Sequence, residues 1–158
     1  MQGLSFAVSI LVSNAFGRKD FKSVREYSRK GYFMTLGISA TLSVLLYCFR
    51  YQAAGVFSDS PEVTAMAVSL FFLLFAYQFG DGLQLCFANV LRGIQDVKPI
   101  MYAAFISYYL IAIPSAYLLG FKASLGLQGI WMGFPIGLTL AGIFFYARYR
   151  ADLRRLSR

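Results

Sequence analysis

The chain has 158 residues, of which 58% are hydrophobic and 14% are charged, and 15 basic against 7 acidic residues give it a net charge of +8. A soluble domain carries about 25% charged residues, so this composition indicates an integral membrane protein. It favours an all-α one, because lipid offers no partner to unpaired backbone groups. The sequence has no histidine, phosphate-binding loop, metal cluster or nucleophile–base pair, so we expect neither an enzyme nor a bound cofactor.

Five apolar segments follow one another along the chain. They cover residues 3–16, 31–49, 63–91, 100–120 and 127–149. The last four can cross a hydrocarbon core of about 30 Å at about 1.5 Å per residue. The sequence therefore predicts a membrane helical bundle over residues 1–149 and a basic tail over residues 150–158. We interpret the first, shorter segment as a helix cut at the start of a fragment; the alternative is a short or re-entrant helix.

Basic residues are concentrated in alternate connections between these segments. Six lie in residues 17–30, two in 92–99 and five in 148–158, whereas the second and fourth connections hold one each, Arg50 and Lys122. Positive charge marks the cytoplasmic side of a membrane protein, so we expect the first and third connections and the C-terminus to be cytoplasmic. Because the basic residues flank apolar segments, they indicate topology and not a nucleic-acid partner.

Residues 20–30 have an amphipathic pattern of their own. Phe21 and Val24 fall on one helical face, and basic residues occupy the other. This pattern predicts a short helix that lies at the cytoplasmic surface before the second span.

Prolines and glycines occur inside the last two predicted spans. Pro114 and Pro135 each predict a helix kink, which is either structural or a bend that moves during transport. Gly129, Gly133 and Gly137 recur every four residues, a spacing that lets a neighbouring helix approach closely.

Asp81 is the only charged residue between Val63 and Leu91. An ionised group at bilayer depth costs about 2.5–3.5 kcal/mol on insertion scales, so it is seldom present without a function. Residues three and four apart share a helix face. The polar stripe so predicted consists of Tyr77, Asp81 and Gln84, with Gln78 and Asn89 beside it. A carboxylate next to a phenol can carry a proton or bind Na⁺; the alternative is that Asp81 only pairs with other groups and fixes helix packing.

Several motifs in this half of the chain occur together in one known family. They are Tyr-Gln-Phe-Gly-Asp at 77–81, Val-Leu-Arg-Gly at 90–93, Asp96, Pro99, Ile-Ser-Tyr-Tyr at 106–109, Pro114 and Leu119-Gly120. Residues 12–20 and 126–137 add matches to a loop and to a final helix. With these motifs in order over nearly its whole length, the chain resembles multidrug and toxic compound extrusion (MATE) transporters of the bacterial NorM-like type.

The resemblance implies half of a twelve-helix, two-lobe transporter. The chain would be helices eight to twelve, without the N-terminal lobe and the seventh helix. The implied function is efflux of amphipathic or cationic drugs from the bacterial inner membrane by antiport with Na⁺ or H⁺. The family's cation-site aspartate corresponds to Asp81, with Tyr77 beside it. Its partner carboxylate lies on the absent seventh helix, so the cation site and drug cavity would be incomplete.

Two other functions stay open. A lipid-linked sugar flippase of the same superfamily would place several basic residues in its cavity to bind phosphate. The predicted spans hold no basic residue except Arg148, at the end of the fifth, which argues against this alternative. A non-transporting, truncated membrane module that assembles through helix contacts is compatible with the glycine repeat.

Overall fold

The computed structural model describes residues 1–55 and 61–156, which are helical and contain no strand. The helices are α1 (Gln2–Gly17), α2 (Phe21–Cys48), α3 (Arg50–Gly55), α4 (Pro61–Gly93), α5 (Lys98–Lys122) and α6 (Gly126–Leu156). By length and composition α2, α4, α5 and α6 can cross a membrane, and α1 is a shorter apolar helix. The predicted all-α architecture of about five apolar helices is confirmed.

The second span and the amphipathic segment before it form one continuous helix. The prediction of a separate surface helix over residues 20–30 is therefore wrong. The reason is a single buried face that passes through the junction at three- and four-residue intervals. It consists of Val24, Ser28, Gly31, Thr35, Ser39 and Ser43. Since this face packs on the rest of the bundle along its whole length, the helix has no point at which to turn onto the surface.

The last helix continues into residues 150–156, which belong to the basic tail predicted from the sequence. The helix α6 runs past residue 149 to Leu156 and is about 46 Å long, longer than the hydrocarbon core is thick. Asp152 in this extension is only 8% exposed, so the segment packs on the bundle. Residues 157–158 of the predicted tail lie outside the described residues.

Two turns with the same geometry join α1 to α2 and α4 to α5. In each, the residue before an aspartate has a positive φ, 59° at Lys19 and 64° at Gln95. The aspartate N–H then donates to the carbonyl five residues back, as in a Schellman helix ending. The two aspartates differ in their partners. Asp20 caps α2 by accepting from the Ser23 N–H at 3.1 Å, whereas Asp96 pairs with α6.

Helix α4 lies at the centre of the bundle and packs against α1, α2 and α6. Small residues allow the close contacts. A Cβ on Gly93 would lie 2.9 Å from the Ser9 carbonyl oxygen of α1, and one on Gly80 would lie 2.7 Å from the Thr139 hydroxyl of α6. The centre of the bundle is apolar and includes Val12, Val24, Leu91 and Phe145, each at most 1% exposed.

The glycine repeat of α6 is the surface on which α5 packs. A Cβ on Gly133 would lie 2.6 Å from the Ala116 Cβ and 2.8 Å from the Ala112 carbonyl oxygen. A Cβ on Gly137 would lie 2.6 Å from the Ala112 Cβ, and Gly129 lies directly against the backbone of Leu119. The predicted packing role of these glycines is confirmed.

Helix α5 changes its hydrogen-bond pattern on both sides of Pro114. Residues Ile106–Ala112 and Leu118–Lys122 are π-helical, so that backbone N–H groups reach five residues back. The Ile113 N–H, for example, donates to the Tyr108 carbonyl. Pro135 lies within the continuous helix α6. The kinks expected at the two prolines stay predictions.

Positive charge collects at one end of the bundle. The Asp96–Arg148 ion pair places the α4–α5 turn beside the C-terminal part of α6, and the α1–α2 turn lies at the same end because Val12 packs on Gly93. Twelve of the fourteen basic residues in the described part of the chain lie at this end. The other two are Arg50 and Lys122.

Candidate functional site

The Asp81 carboxylate lies on α4, half-buried and about 18 Å along the helix from Gly93. Its two neighbours in sequence are glycines that fix α4 against different helices. A Cβ on Gly80 would press on Thr139 of α6, and one on Gly82 would lie 3.1 Å from the Ser39 hydroxyl of α2. The face that carries Asp81 is therefore held between these two helix contacts.

The predicted stripe gains a member from another helix. Tyr108 of α5 lies near the Gln84 side chain and close enough to Asp81 and Tyr77 to interact with both electrostatically. The site thus combines one carboxylate, two phenols and an amide. In the sequence Tyr108 is distinguished only as part of the Ile-Ser-Tyr-Tyr motif, and the spacing of residues along α4 does not indicate it.

The glycines of α6 bring this helix close to α4 and α5 near the candidate site. A Cβ on Gly137 would lie 3.6 Å from the Tyr108 ring. One on Gly142 would lie 2.9 Å from the Gln84 backbone nitrogen. Because α6 presents no side chain at either position, it approaches both α4 and α5 closely on the side where Gln84 and Tyr108 lie.

The other two residues of the predicted site are placed differently. Gln78 is half-buried one turn from Asp81 on the same helix. Asn89 is 1% exposed and lies about 12 Å from Asp81 along α4. Its amide donates to the Leu85 carbonyl at 2.9 Å, and its carbonyl oxygen accepts from Arg92 at 3.3 Å. The structure therefore brings Tyr77, Gln84 and Tyr108 to Asp81 and leaves Asn89 at the basic end of α4.

The chemistry of this arrangement suits a monovalent cation or a proton. Within the described residues no group of three or more histidine, cysteine, aspartate or glutamate side chains is placed to hold a metal ion. Asp81 instead lies near two phenols, Tyr77 and Tyr108, and near the amino group of Met1. A single negative charge among hydroxyl and amide oxygens can be neutralised by one bound Na⁺ or by one proton. Either change lowers the free-energy cost of holding the carboxyl group inside a membrane.

Comparisons with known proteins agree on one family. The MatE family profile matches residues 1–118. The chain is 36% identical over 149 residues to the multidrug resistance protein NorM of Aliivibrio fischeri. This alignment covers 92% of this chain and 32% of that protein. It is 33% identical over 156 residues to the probable multidrug resistance protein NorM of Bacillus subtilis, at 98% and 34% coverage. The chain thus spans about a third of the length of these relatives.

The fold matches solved structures over nearly all of this chain. The crystal structure of the eukaryotic MATE transporter AtDTX14 superimposes with a TM-score of 0.86 at 24% identity, covering 98% of this chain and 36% of that one. An inward-facing multidrug resistance MATE family transporter gives a TM-score of 0.87 at 17% identity, covering 97% of this chain and 36% of the other. At these identities the match establishes the fold alone.

Proposed function

This chain belongs to the MATE family, and from that premise we propose that it forms the cation-coupling part of a multidrug efflux transporter. The observation that carries the proposal is the polar site inside the bundle. There the lone carboxylate of Asp81 shares a face of α4 with Tyr77 and Gln84 and interacts electrostatically with the Tyr108 phenol of α5. An ionisable group within a membrane span usually serves transport.

Asp81 is the group that binds and releases the coupling ion in this mechanism. With Na⁺ or a proton bound, the site is neutral and the helices around it can close. With the ion released, the charged carboxylate needs water, so the bundle must open toward an aqueous phase. An antiporter uses this difference to exchange the ion for a drug. A carboxylate with neighbouring phenols can bind either Na⁺ or H⁺, and an ion-gradient experiment identifies the coupling ion.

The remaining parts of the transporter lie outside this chain. Relatives that bear the name multidrug resistance protein are about three times as long, and the seventh helix and N-terminal lobe would complete the cation site and the drug cavity. We expect substrates that are amphipathic or cationic. Because most basic residues lie at one end of the bundle, we assign that end, with the first and third connections and the C-terminus, to the cytoplasmic side of a bacterial inner membrane.

A chimaeric transporter tests this proposal. The chain replaces the aligned 149 residues of the Aliivibrio fischeri relative, and ethidium efflux is measured in bacteria that lack their own efflux pumps. We expect the chimaera to export ethidium, and Asp81→Asn to reduce export to that of cells without a transporter. The matched control is Asp20→Asn, which changes a carboxylate on the same chain but keeps a residue that caps helices equally well.

The same chimaera identifies the ion. Reconstituted in vesicles, it is given a Na⁺ gradient or a pH gradient separately, and drug movement that follows one of them names the coupling ion. If Asp81→Asn exports ethidium as fast as the parent chimaera at equal expression, the role assigned to Asp81 is wrong.

A further inference from the structure

A second site lies on the opposite side of α4 from the Asp81 stripe. An open cleft of about 750 Å³ separates the N-terminal half of α2 from the C-terminal half of α6, and Leu83 and Phe87 of α4 form part of its floor. Successive residues of a helix are about 100° apart, so Leu83 points about 200° away from Asp81. The α2–α6 cleft is therefore a separate feature from the candidate cation site.

The rim of the α2–α6 cleft is strongly basic. It carries Lys22, Arg25 and Arg29 from α2 and Arg150 and Arg154 from α6. Among the described residues, no aspartate or glutamate lines the cleft. Lys22, Arg25 and Arg29 on α2 and Arg150 on α6 are like charges on two facing helices, and an anion bound between them would lower their mutual repulsion. The charge of the rim thus selects an anionic ligand and disfavours the cationic drugs expected of the transporter.

The floor of the cleft is aromatic and apolar. The Phe87 ring lies 5.5 Å from Tyr32 and 4.9 Å from Tyr146, measured between centroids. Phe33 at the outer edge is 63% exposed. A small hydrophilic anion gains no binding energy from such a surface, whereas an acyl chain packs on it. A ligand that satisfies both rim and floor has an anionic head and a long apolar tail.

The position of the cleft along the bundle matches a membrane interface. Arg29 comes two residues before the apolar segment that begins at Gly31, and Arg150 directly follows the segment that ends at Tyr149. The rim therefore lies where lipid phosphates lie, and the aromatic side chains lie at the depth where such residues are enriched. This end is the one that we propose to be cytoplasmic. Basic pockets between helices on that side of a membrane bind acidic lipid head groups.

We propose that the α2–α6 cleft binds an anionic phospholipid, with its phosphate between the arginines of the two helices and an acyl chain along the aromatic floor. Arg25 on α2 and Arg150 on α6 both line the cleft, one from each helix. A phosphate between them joins α2 to α6 on the side of α4 that carries no cation site. The bound lipid is thus a structural ligand of the bundle.

Native mass spectrometry of the purified full chain in mild detergent tests the proposal. Dioleoyl phosphatidylglycerol and dioleoyl phosphatidylcholine, which share acyl chains and differ in charge, are titrated in parallel. We expect selective retention of phosphatidylglycerol. Each basic residue near a lipid phosphate is worth about fivefold in binding, so Arg25→Gln/Arg150→Gln should weaken retention about 25-fold. The conservative pair Arg25→Lys/Arg150→Lys should restore most of it.

The matched control is Arg50→Gln/Lys122→Gln, which removes the same charge from the opposite end of the bundle and should leave phosphatidylglycerol bound. Equal retention of the two lipids would overturn the proposal, as would an equal loss in the control pair. Inorganic phosphate that displaces the lipid at equal concentration would also overturn it, because the acyl chain would then contribute nothing. Asp81→Asn should bind the lipid normally, so that this result stands apart from the outcome of the efflux assay.

Discussion

Arg148 joins two parts of the bundle that are far apart in sequence, and its removal should destabilise the fold. Its Nε lies 2.6 Å from Oδ2 of Asp96 in the α4–α5 turn, and its Nη2 lies 3.3 Å from Oδ1 of Asp152 one helical turn later. Arg148→Met keeps much of the aliphatic stem and deletes both ion pairs. The turn that follows the central helix then loses its polar attachment to α6.

The size of the effect follows from how deeply the three groups are buried. Exposed ion pairs contribute about 0–1 kcal/mol, whereas breaking a fully buried pair costs about 3–5 kcal/mol. The side chains of Arg148, Asp96 and Asp152 are 35%, 26% and 11% exposed, which places the cluster between these limits. We therefore expect Arg148→Met to lower the free energy of unfolding by about 2 kcal/mol.

Most of this cost should come from Asp152, the least exposed of the three side chains. Without Arg148 its carboxylate stays close to Asp96 and loses the cation that bridges the two. At pH 8, the double variant Arg148→Met/Asp152→Asn removes that stranded charge, so it should recover about half of the lost stability. A double variant that is as unstable as the sum of the two single variants would contradict this coupling.

The contribution of the cluster should depend on pH in a defined direction. Burial by itself raises the pKa of Asp96, but the hydrogen bond from Arg148, the contact with Asp152 and the charges of Arg148 and Arg155 outweigh burial and hold that pKa below its usual value. A carboxyl group with a lowered pKa stabilises the fold above its unfolded pKa and loses that effect as the pH falls through the folded value. Burial raises the pKa of the second partner, Asp152, to about 6, and the charge of Arg148 acts against this rise. The loss of Arg148 therefore costs less once Asp152 takes up a proton. The gap between parent and Arg148→Met should be largest above about pH 7, narrow as the pH falls through about 6, and narrow again below about pH 4.

Unfolding of the detergent-solubilised chain measures these differences. Trp131 is the only tryptophan, so its fluorescence reports on α6 without a label. Lys122→Met is the control, since it makes a similar change at the opposite end of the bundle and should alter stability by less than about 0.5 kcal/mol. If Arg148→Met proves no less stable than Lys122→Met, the ion pairs contribute nothing to the fold.

Two further changes test the candidate site and the helix packing that forms it. Tyr108→Phe removes the hydroxyl beside Asp81 and should weaken binding of the coupling ion, measured as a several-fold higher ion concentration for half-maximal efflux. Tyr109→Phe, on the exposed side of α5, should leave it unchanged, and equal effects would remove Tyr108 from the site. Gly133→Ala places a Cβ 2.6 Å from the Ala116 Cβ of α5 and should lower the free energy of unfolding by about 1–3 kcal/mol. The control Gly37→Ala has no atom within 4 Å of the added Cβ and should leave that free energy unchanged or raise it. Unfolding of both variants in detergent measures the difference.

The apolar segments and the stripe on α4 could be predicted because each is a local property of the sequence. Hydropathy finds a span without knowing its neighbours, and the spacing of Tyr77, Asp81 and Gln84 is enough to place them on one helix face. The continuity of α2 could not be found in this way. Its buried face before and within the span is made of small or polar residues such as Ser28 and Thr35, and hydropathy gives them no weight. They are buried because helices approach closely there.

The place of Tyr108 required the tertiary structure for a different reason. Tyr108 is 27 positions beyond Asp81 in the sequence, and it lies within the π-helical residues Ile106–Ala112. A π turn holds one residue more than an α turn and so shifts the register of all later side chains by about 100°. Helical spacing counted from either end of α5 therefore misplaces its faces. The close approach to the glycines of α6 sets the position of α5, and α5 carries the phenol that interacts with Asp81. The candidate cation site therefore depends on α6 packing as well as on the motif in α4.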